Sequence, residues 1–129
     1  MREVIAAPRP GLDLREHYGH HQSPAIRAGG LIFCSGMLPV DPHTGERRHG
    51  TLTSEAHVIL GNLKQLLEAA GSSIEKVVKV NVLLHSMLEA PNMNEVYARF
   101  FPDPPPARTV CGARLPDGVK VIIECTALA

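Results

Sequence analysis

The chain has 129 residues, which is enough for one domain with a core of its own but not for two. Lys and Arg total 13, Asp and Glu also total 13, aromatic residues make up 4% and Trp is absent. Nucleic-acid binding normally needs a basic patch and stacking rings, so we expect no nucleic-acid partner. No run approaches the roughly 18 apolar residues of a membrane span and no signal-peptide core follows Met1, so we expect a cytoplasmic protein without a membrane partner.

The first quarter of the chain divides into an arm and a hairpin. Residues 1–24 are broken up by Pro and Gly and show no periodicity, which predicts an irregular N-terminal arm. Ala25–Ala28 and Leu31–Ser35 flank Gly29-Gly30, a dipeptide that accepts the positive φ of a tight turn. We therefore predict two short antiparallel strands.

Residues 54–70 carry apolar side chains every three or four positions, which predicts an amphipathic helix. Thr53 is the expected N-cap, and Gly71 stands where a left-handed residue ends a helix. Gly61 within the helix costs about 1 kcal/mol relative to Ala. We expect that a neighbour packs close to its backbone.

The second half of the chain predicts a strand, a helix and a final hairpin. Alternating apolar residues over 77–85 indicate a core strand with Val78, Val80, Val82 and Leu84 on one face. Helical spacing follows over 93–100 until Pro102 stops it. The run 106–116 then returns through a Leu-Pro-Asp-Gly turn to a last strand over 119–125.

These elements predict an α+β fold in which a mixed six-stranded sheet carries two helices on one face. The last strand places Val121 and Ile123 on one side and Ile122 and Glu124 on the other, so both faces of the sheet carry apolar residues. A chain of this length cannot cover the second face itself. We expect a homo-oligomer formed through that open face.

The order and content of several motifs resemble the Rid family (YjgF family) of reactive-intermediate deaminases. The resemblance covers about residues 23–129, and the domain assigned to it spans 25–129. The motifs are the strand and turn over 25–36, the Asp-Pro-His-Thr-Gly-Glu turn over 41–46, the helix segments over 62–71, Asn-Glu-Val-Tyr at 94–97 and the run over 106–116.

The resemblance implies a chorismate-mutase-like (YjgF-like) fold and a homotrimer with ligand clefts between its subunits. It implies hydrolysis of enamines and imines such as 2-aminoacrylate and 2-iminopropanoate to 2-keto acids and ammonia. No cofactor and no metal are implied, and the expected ligand is a small imine or keto acid that bears a carboxylate.

Site residues are transferred from the resemblance position by position. Arg108 matches the arginine that binds the substrate carboxylate, for which a planar guanidinium offers two parallel donors. Ser35 and Gly36 match the Ser-Gly of the cleft floor, where a hydroxyl and a backbone N–H can orient a ligand. Asn94 matches a residue that reaches the cleft from the neighbouring subunit.

Two departures from the family pattern concern catalysis, one at Ile122 and one after Arg108. The acid that activates water falls on Ile122, which cannot accept a proton. Glu124 shares the face of Ile122 two residues further along and is either a catalytic cleft residue or a structural partner of a Lys or Arg on an adjacent strand. The segment after Arg108 is one residue shorter than usual, so the orientation of Cys111, a further cleft candidate, stays open.

The cysteines and the histidines of the arm have simpler interpretations. Three cysteines without C-x-x-C spacing do not indicate a disulfide framework, and we expect reduced thiols, with Cys111 as a small buried filler. His17, His20 and His21 lack accompanying metal ligands, so solvated side chains are expected. The family's Gly-Pro-Tyr falls on residues 20–22, and only an altered arm could bring Tyr18 to its place.

Three functions follow in order of support. The first is a Rid-type deaminase in which Ile122 goes with either altered water activation or a larger or different imine substrate. The second is a non-catalytic trimer that binds a small carboxylate and regulates a partner. The third, ribonuclease activity, is disfavoured by the balanced charge.

Overall fold

The computed structural model describes all residues, 1–129, as one mixed sheet with two long helices on one face, which confirms the predicted fold class. No helix is both long and apolar enough to cross a membrane. The strands are β1 Glu3–Ile5, β2 Ala25–Ala28, β3 Leu31–Met37, β4 Val77–Leu84, β5 Ala107–Gly112 and β6 Val121–Leu128. The α-helices are α1 Leu14–Tyr18, α2 Leu52–Ala69 and α3 Ala90–Phe100.

The sheet order is β1-β2-β3-β6-β4-β5, and the hairpin of β2 and β3 is confirmed, with φ of 57° at Gly29 and 77° at Gly30. The prediction of a final hairpin was wrong, because β5 and β6 are not neighbours in the sheet. β4 lies between β5 and β6, pairing parallel with β5 and antiparallel with β6. The segment β4–α3–β5 is a crossover of the kind that parallel strands require, and it leaves β5 as a free edge.

Residues 1–24 differ from the irregular arm that their composition predicts. β1 extends the sheet by pairing with β2, where Val4 lies opposite Ile26. In α1, the Asp13 side chain accepts hydrogen bonds from two backbone N–H groups of the first turn. Leu12 and Leu14 are buried. The prolines lie between these short elements instead of inside them, so the breaking signal is correct but the elements are too short for a periodicity argument.

The α2 helix begins two residues before the predicted start. Thr51, not Thr53, is the N-cap, and its hydroxyl accepts a hydrogen bond from the Ser54 N–H at 3.1 Å. Gly71 has a φ of 82°, as expected of the residue that ends the helix. The expectation for Gly61 was wrong, because a Cβ built there would meet nothing within 4 Å.

The two faces of the sheet differ in what covers them. Apolar residues of β3, β4 and β6 pack beneath α2 and α3 and form the core. On the other face, Phe33 and Leu128 are 45% and 49% exposed. Val78 is also exposed and not in the core, because an irregularity between Val77 and Lys79 shifts the register against β6 and buries Val77 in its place. The open face is therefore apolar and uncovered within one chain.

Candidate functional site

Arg108 lies on the free edge strand β5, opposite Val80 of β4. Its guanidinium carbon is 4.6 Å from the centroid of the Tyr97 ring. The side chain forms no ion pair or hydrogen bond within the chain. Asn94, one helical turn before Tyr97 on α3, lines the same cavity of about 300 Å³, together with Asp103. Arg108 is thus held by a ring while its five N–H donors remain free.

Tyr97 provides a neutral platform for this guanidinium. Burial raises the pKa of Tyr97 to about 12, although the charge of Arg108 acts in the opposite direction. The hydroxyl is buried without a hydrogen-bond partner. The phenol therefore stays protonated at neutral pH, and the attraction to Arg108 comes from the ring face.

Gly36 and Ile122 meet on the open face, and Ser35 precedes Gly36 where β3 is irregular between Cys34 and Met37. The Ser35 hydroxyl donates to the Ser23 carbonyl at 2.6 Å, so its proton is already engaged. A Cβ at Gly36 would lie 3.1 Å from Cγ2 of Ile122. Glycine at this position therefore lets the two strands approach.

Ile122 belongs to an apolar row that crosses three strands. The register places it opposite Leu83 of β4, which lies opposite Cys111 of β5. Residues opposite each other in a sheet point to the same face, so Cys111 faces the open side with Ile122. Leu83 was missed by the sequence reasoning, although its alternation with the buried Val82 and Leu84 places it on that face.

Two of the three cysteines are buried in the core, and the third is exposed. Cys34 and Cys125 are buried opposite each other on β3 and β6 as free thiols. The adjacent Cys34 thiol and burial both raise the pKa of Cys125 well above its usual range. Cys111 is exposed, so its interpretation as a buried filler was wrong; it lies on β5, the edge strand of the sheet.

Glu124 lies two residues beyond Ile122 and has an unexpected partner. Asn81 of β4, directly opposite, donates a hydrogen bond to its carboxylate at 2.8 Å. Next to this pair, Lys79 donates to the Thr109 hydroxyl at 2.8 Å. The partner of Glu124 is thus a neutral amide and not the Lys or Arg considered from the sequence.

Arg108 and Ile122 do not share one site within a single chain. Their partners on β4, Val80 and Leu83, are three residues apart. A strand spacing of about 4.8 Å and a rise of about 3.3 Å per residue then separate the Cα atoms by roughly 14 Å. Arg108 stacks on α3 whereas Ile122 faces the open side. A cleft that uses both residues needs a second copy of the chain.

Comparison with known proteins places this arrangement in a family. A family model described as Endoribonuclease L-PSP matches residues 16–129. A RutC family protein of Pyrococcus horikoshii is 43% identical over 131 residues, covering 98% of each chain. The chloroplastic Reactive Intermediate Deaminase A of Arabidopsis thaliana is 38% identical over 106 residues, covering 81% of this chain and 57% of the relative. The chain belongs to the Rid (YjgF) family.

Solved structures of Rid proteins agree with this assignment. The Escherichia coli YjgF gene product superposes with a TM-score of 0.84 at 29% identity, covering 98% of both chains. RidA from an Antarctic Psychrobacter gives a TM-score of 0.80 at 35% identity, covering 84% of this chain and 89% of that one. The chorismate-mutase-like (YjgF-like) architecture expected from the motifs is therefore confirmed.

The N-terminal segment of this Rid protein is fastened to the loop after β3. The Tyr18 hydroxyl donates to the Gly45 carbonyl, and Arg47 lies over the Tyr18 ring at 4.6 Å. Arg47 also contacts Asp117 at 3.0 Å, and the His20 ring is 5.7 Å from that of Tyr18. No three His, Cys, Asp or Glu side chains gather in a way that suits a metal ion. Tyr18 is therefore occupied in joining the N-terminal helix to this loop.

Proposed function

We propose that the protein is a Rid-type deaminase that hydrolyses small enamines and imines of 2-amino acids to 2-keto acids and ammonia. The observation that carries the proposal is Arg108, whose free guanidinium lies over Tyr97 at the wall of a cavity of about 300 Å³. Family membership supports the reaction type, since one relative is named Reactive Intermediate Deaminase A. A fixed guanidinium with free donors is well suited to a ligand carboxylate.

The reaction makes three demands on the site. A bound enamine must take a proton at carbon to become the imine, water must add to the imine carbon, and the C–N bond must then break with release of ammonia. In this proposal Arg108 holds the carboxylate and the Asn94 amide orients the ligand. Ser35 can still accept a hydrogen bond from the water, and Glu124 is the carboxylate on the Ile122 face.

Homotrimerisation is part of the proposal. The open face exposes Phe33 and Leu128, and the separation of Arg108 from Ile122 favours a cleft completed by a neighbouring copy. Sedimentation equilibrium should give a single species of three chains at micromolar concentration. A stable monomer under these conditions would contradict the assembly. We also propose a cytoplasmic location, although two related proteins from Schizosaccharomyces pombe are named as mitochondrial.

A non-catalytic trimer that binds a small carboxylate is the second candidate. It is favoured by Ile122, which cannot take a proton, and by Glu124, whose carboxylate is engaged by Asn81. The balanced charge of the chain does not favour ribonuclease activity. The first two candidates predict the same ligand affinity but different turnover.

Ammonia release from 2-iminopropanoate generated in situ separates the two. The deaminase proposal requires release above the spontaneous rate and its reduction in Arg108→Lys. If ammonia release equals the spontaneous rate and calorimetry shows that 2-ketobutyrate binds, the non-catalytic binding protein is the correct alternative. Enamines and imines are already reactive, so an excess over background of even about tenfold is meaningful and needs only about 1.4 kcal/mol of stabilisation.

A further inference from the structure

A second cavity opens between α2, the end of α3 and the short turn over 74–76. Its volume is about 380 Å³, and none of its lining residues belongs to the Arg108 cavity. Its lining combines three basic side chains, three apolar residues and a single carboxylate. The basic residues are His57, Lys64 and Arg99, the apolar ones Ile74, Phe100 and Pro102, and the acid is Glu75.

The basic side chains of this cavity are poorly neutralised within the chain. Glu75 is engaged locally, because hydrogen bonds from its own backbone N–H and from the Ser73 side chain lower its pKa, with Lys64 only a minor cause. Arg99 has Glu95 as its ion-pair partner at 4.0 Å, with both side chains more than 60% exposed. Exposed pairs at this distance contribute little. Lys64 and Arg99 therefore keep donors free to bind an anion.

Gly61 leaves the flank of α2 bare beside this cavity. Helical spacing places it between His57, four residues before, and Lys64, three residues after, on the same face. A Cβ there would meet nothing within 4 Å, so packing within the chain does not require glycine. A glycine inside a helix costs about 1 kcal/mol relative to Ala, and an occupant of the cavity would account for that cost.

The apolar side of the cavity has a defined ring. Phe100 is half-buried, and His57 approaches it edge to face with 5.2 Å between the ring centroids. A basic and an apolar lining residue are thereby in direct contact. Ile74 is buried behind the cavity and gives that side a fixed wall.

We propose that this cavity binds a small organic phosphomonoester. Its phosphate would contact Lys64, Arg99 and His57, and its apolar part would lie against Phe100, Ile74 and Pro102. A phosphomonoester carries close to two negative charges at neutral pH, which matches two permanent cations better than a monocarboxylate does. The proposal does not depend on the deaminase reaction.

Titration of the isotopically labelled full chain with phenyl phosphate, followed by NMR, tests this site. We expect saturable shifts at residues around the cavity, with a dissociation constant below about 10 mM. Inorganic phosphate and phenol should each bind at least about tenfold more weakly, since each contacts only one side of the cavity. Equal affinity for inorganic phosphate, or no saturation, would overturn the proposal.

Four variants locate the binding. Lys64→Gln and Arg99→Gln should each weaken phenyl phosphate binding by about tenfold, because each removes a charged donor. Lys76→Gln, a matched control on the adjacent turn outside the cavity, and Arg108→Lys should leave it unchanged. Loss of binding in Arg108→Lys, with Lys64→Gln unaffected, would assign the ligand to the other cavity and overturn the proposal.

Gly61→Leu provides an independent check that leaves every charge in place. Leucine favours the helix, so the variant should fold, and its side chain should extend over the cavity and weaken phenyl phosphate binding at least about fivefold. Gly61→Ala is the matched control and should bind within about twofold of the unsubstituted protein. Unchanged binding in Gly61→Leu would show that the cavity beside Gly61 is not the site.

Discussion

Replacing Ile122 with Glu restores an acid at the position where the family resemblance expects one. Ile122 is half-buried beside Gly36 on the open face of the sheet. Loss of part of its apolar burial should cost about 1–2 kcal/mol, well below the 5–15 kcal/mol of a typical domain. We therefore expect Ile122→Glu to fold.

The environment of the new carboxylate follows from the register. It would share a face with Glu124, two residues and roughly 7 Å along β6. Two like charges at that distance repel by about 0.6 kcal/mol in water and about 2.4 kcal/mol at an effective dielectric of 20. This repulsion raises the pKa of the new carboxyl towards neutrality, which suits a general base. Arg108 stacks on α3 instead, so within one chain it cannot offset the repulsion.

The assay is the initial rate of ammonia release from 2-aminoacrylate generated in situ. A positioned general base contributes about 10²–10⁴-fold, so Ile122→Glu should raise the rate at least tenfold. Ile122→Gln is the matched control and should give no rise, because its amide cannot take a proton. An equal rise in both variants would refute the argument from the missing base. If the unsubstituted protein already releases ammonia rapidly and Glu124→Gln is inactive, Glu124 is the base instead.

Three further predictions concern other residues. Arg108→Lys should keep the fold and lose about one to two decades of affinity for 2-ketobutyrate, since a monodentate contact replaces a bidentate one at a cost of about 1–3 kcal/mol; equal affinities by calorimetry would reject Arg108 as the carboxylate ligand. Gly61→Ala should raise the free energy of unfolding in urea by about 0.5–1 kcal/mol, because its Cβ meets nothing; a lower value would mean that an unseen contact needs glycine. Hydrogen bonds from Arg48 and two backbone N–H groups hold the pKa of Asp41 well below its usual range. The stability that Asp41 contributes is therefore present above the unfolded pKa of about 3.9 and is lost as the pH falls further. Asp41→Asn should lower Tm at pH 7, and the Tm difference from the unsubstituted protein should shrink progressively below about pH 4. A Tm difference that does not change with pH would exclude the carboxylate as the cause.

Strong local signals predicted the hairpin, the two long helices and the fold class. Gly29-Gly30 and the helical spacing over 54–70 are such signals, since each depends on neighbouring residues alone. The position of β4 between β5 and β6 was not predicted, because pairing between distant strands leaves no local mark. β1 was missed because three residues are too few to show a period of two.

The candidate site residues fall into two groups whose arrangement the sequence does not indicate. Arg108 and Asn94 line one cavity of the same chain, whereas the family resemblance implied that Asn94 reaches the cleft from the neighbouring subunit; Gly36 and Ile122 meet on the open face. That these pairs lie on opposite faces could not be predicted, because the face of Arg108 depends on its register with β4. Leu83 could have been found from alternation along β4, once the open face was known to matter.

The place of β6 in the sheet has a consequence for how the chain folds. This strand comes last in the sequence, yet it lies between β3 and β4 and joins the part of the sheet made by the first third of the chain to the part made by the second half. During synthesis, the helices can form while both sheet fragments still expose unpaired edges towards each other. Folding to the native sheet must therefore wait for residues 121–128 to leave the ribosome. Until then the nascent chain presents edge strands that favour aggregation and association with chaperones.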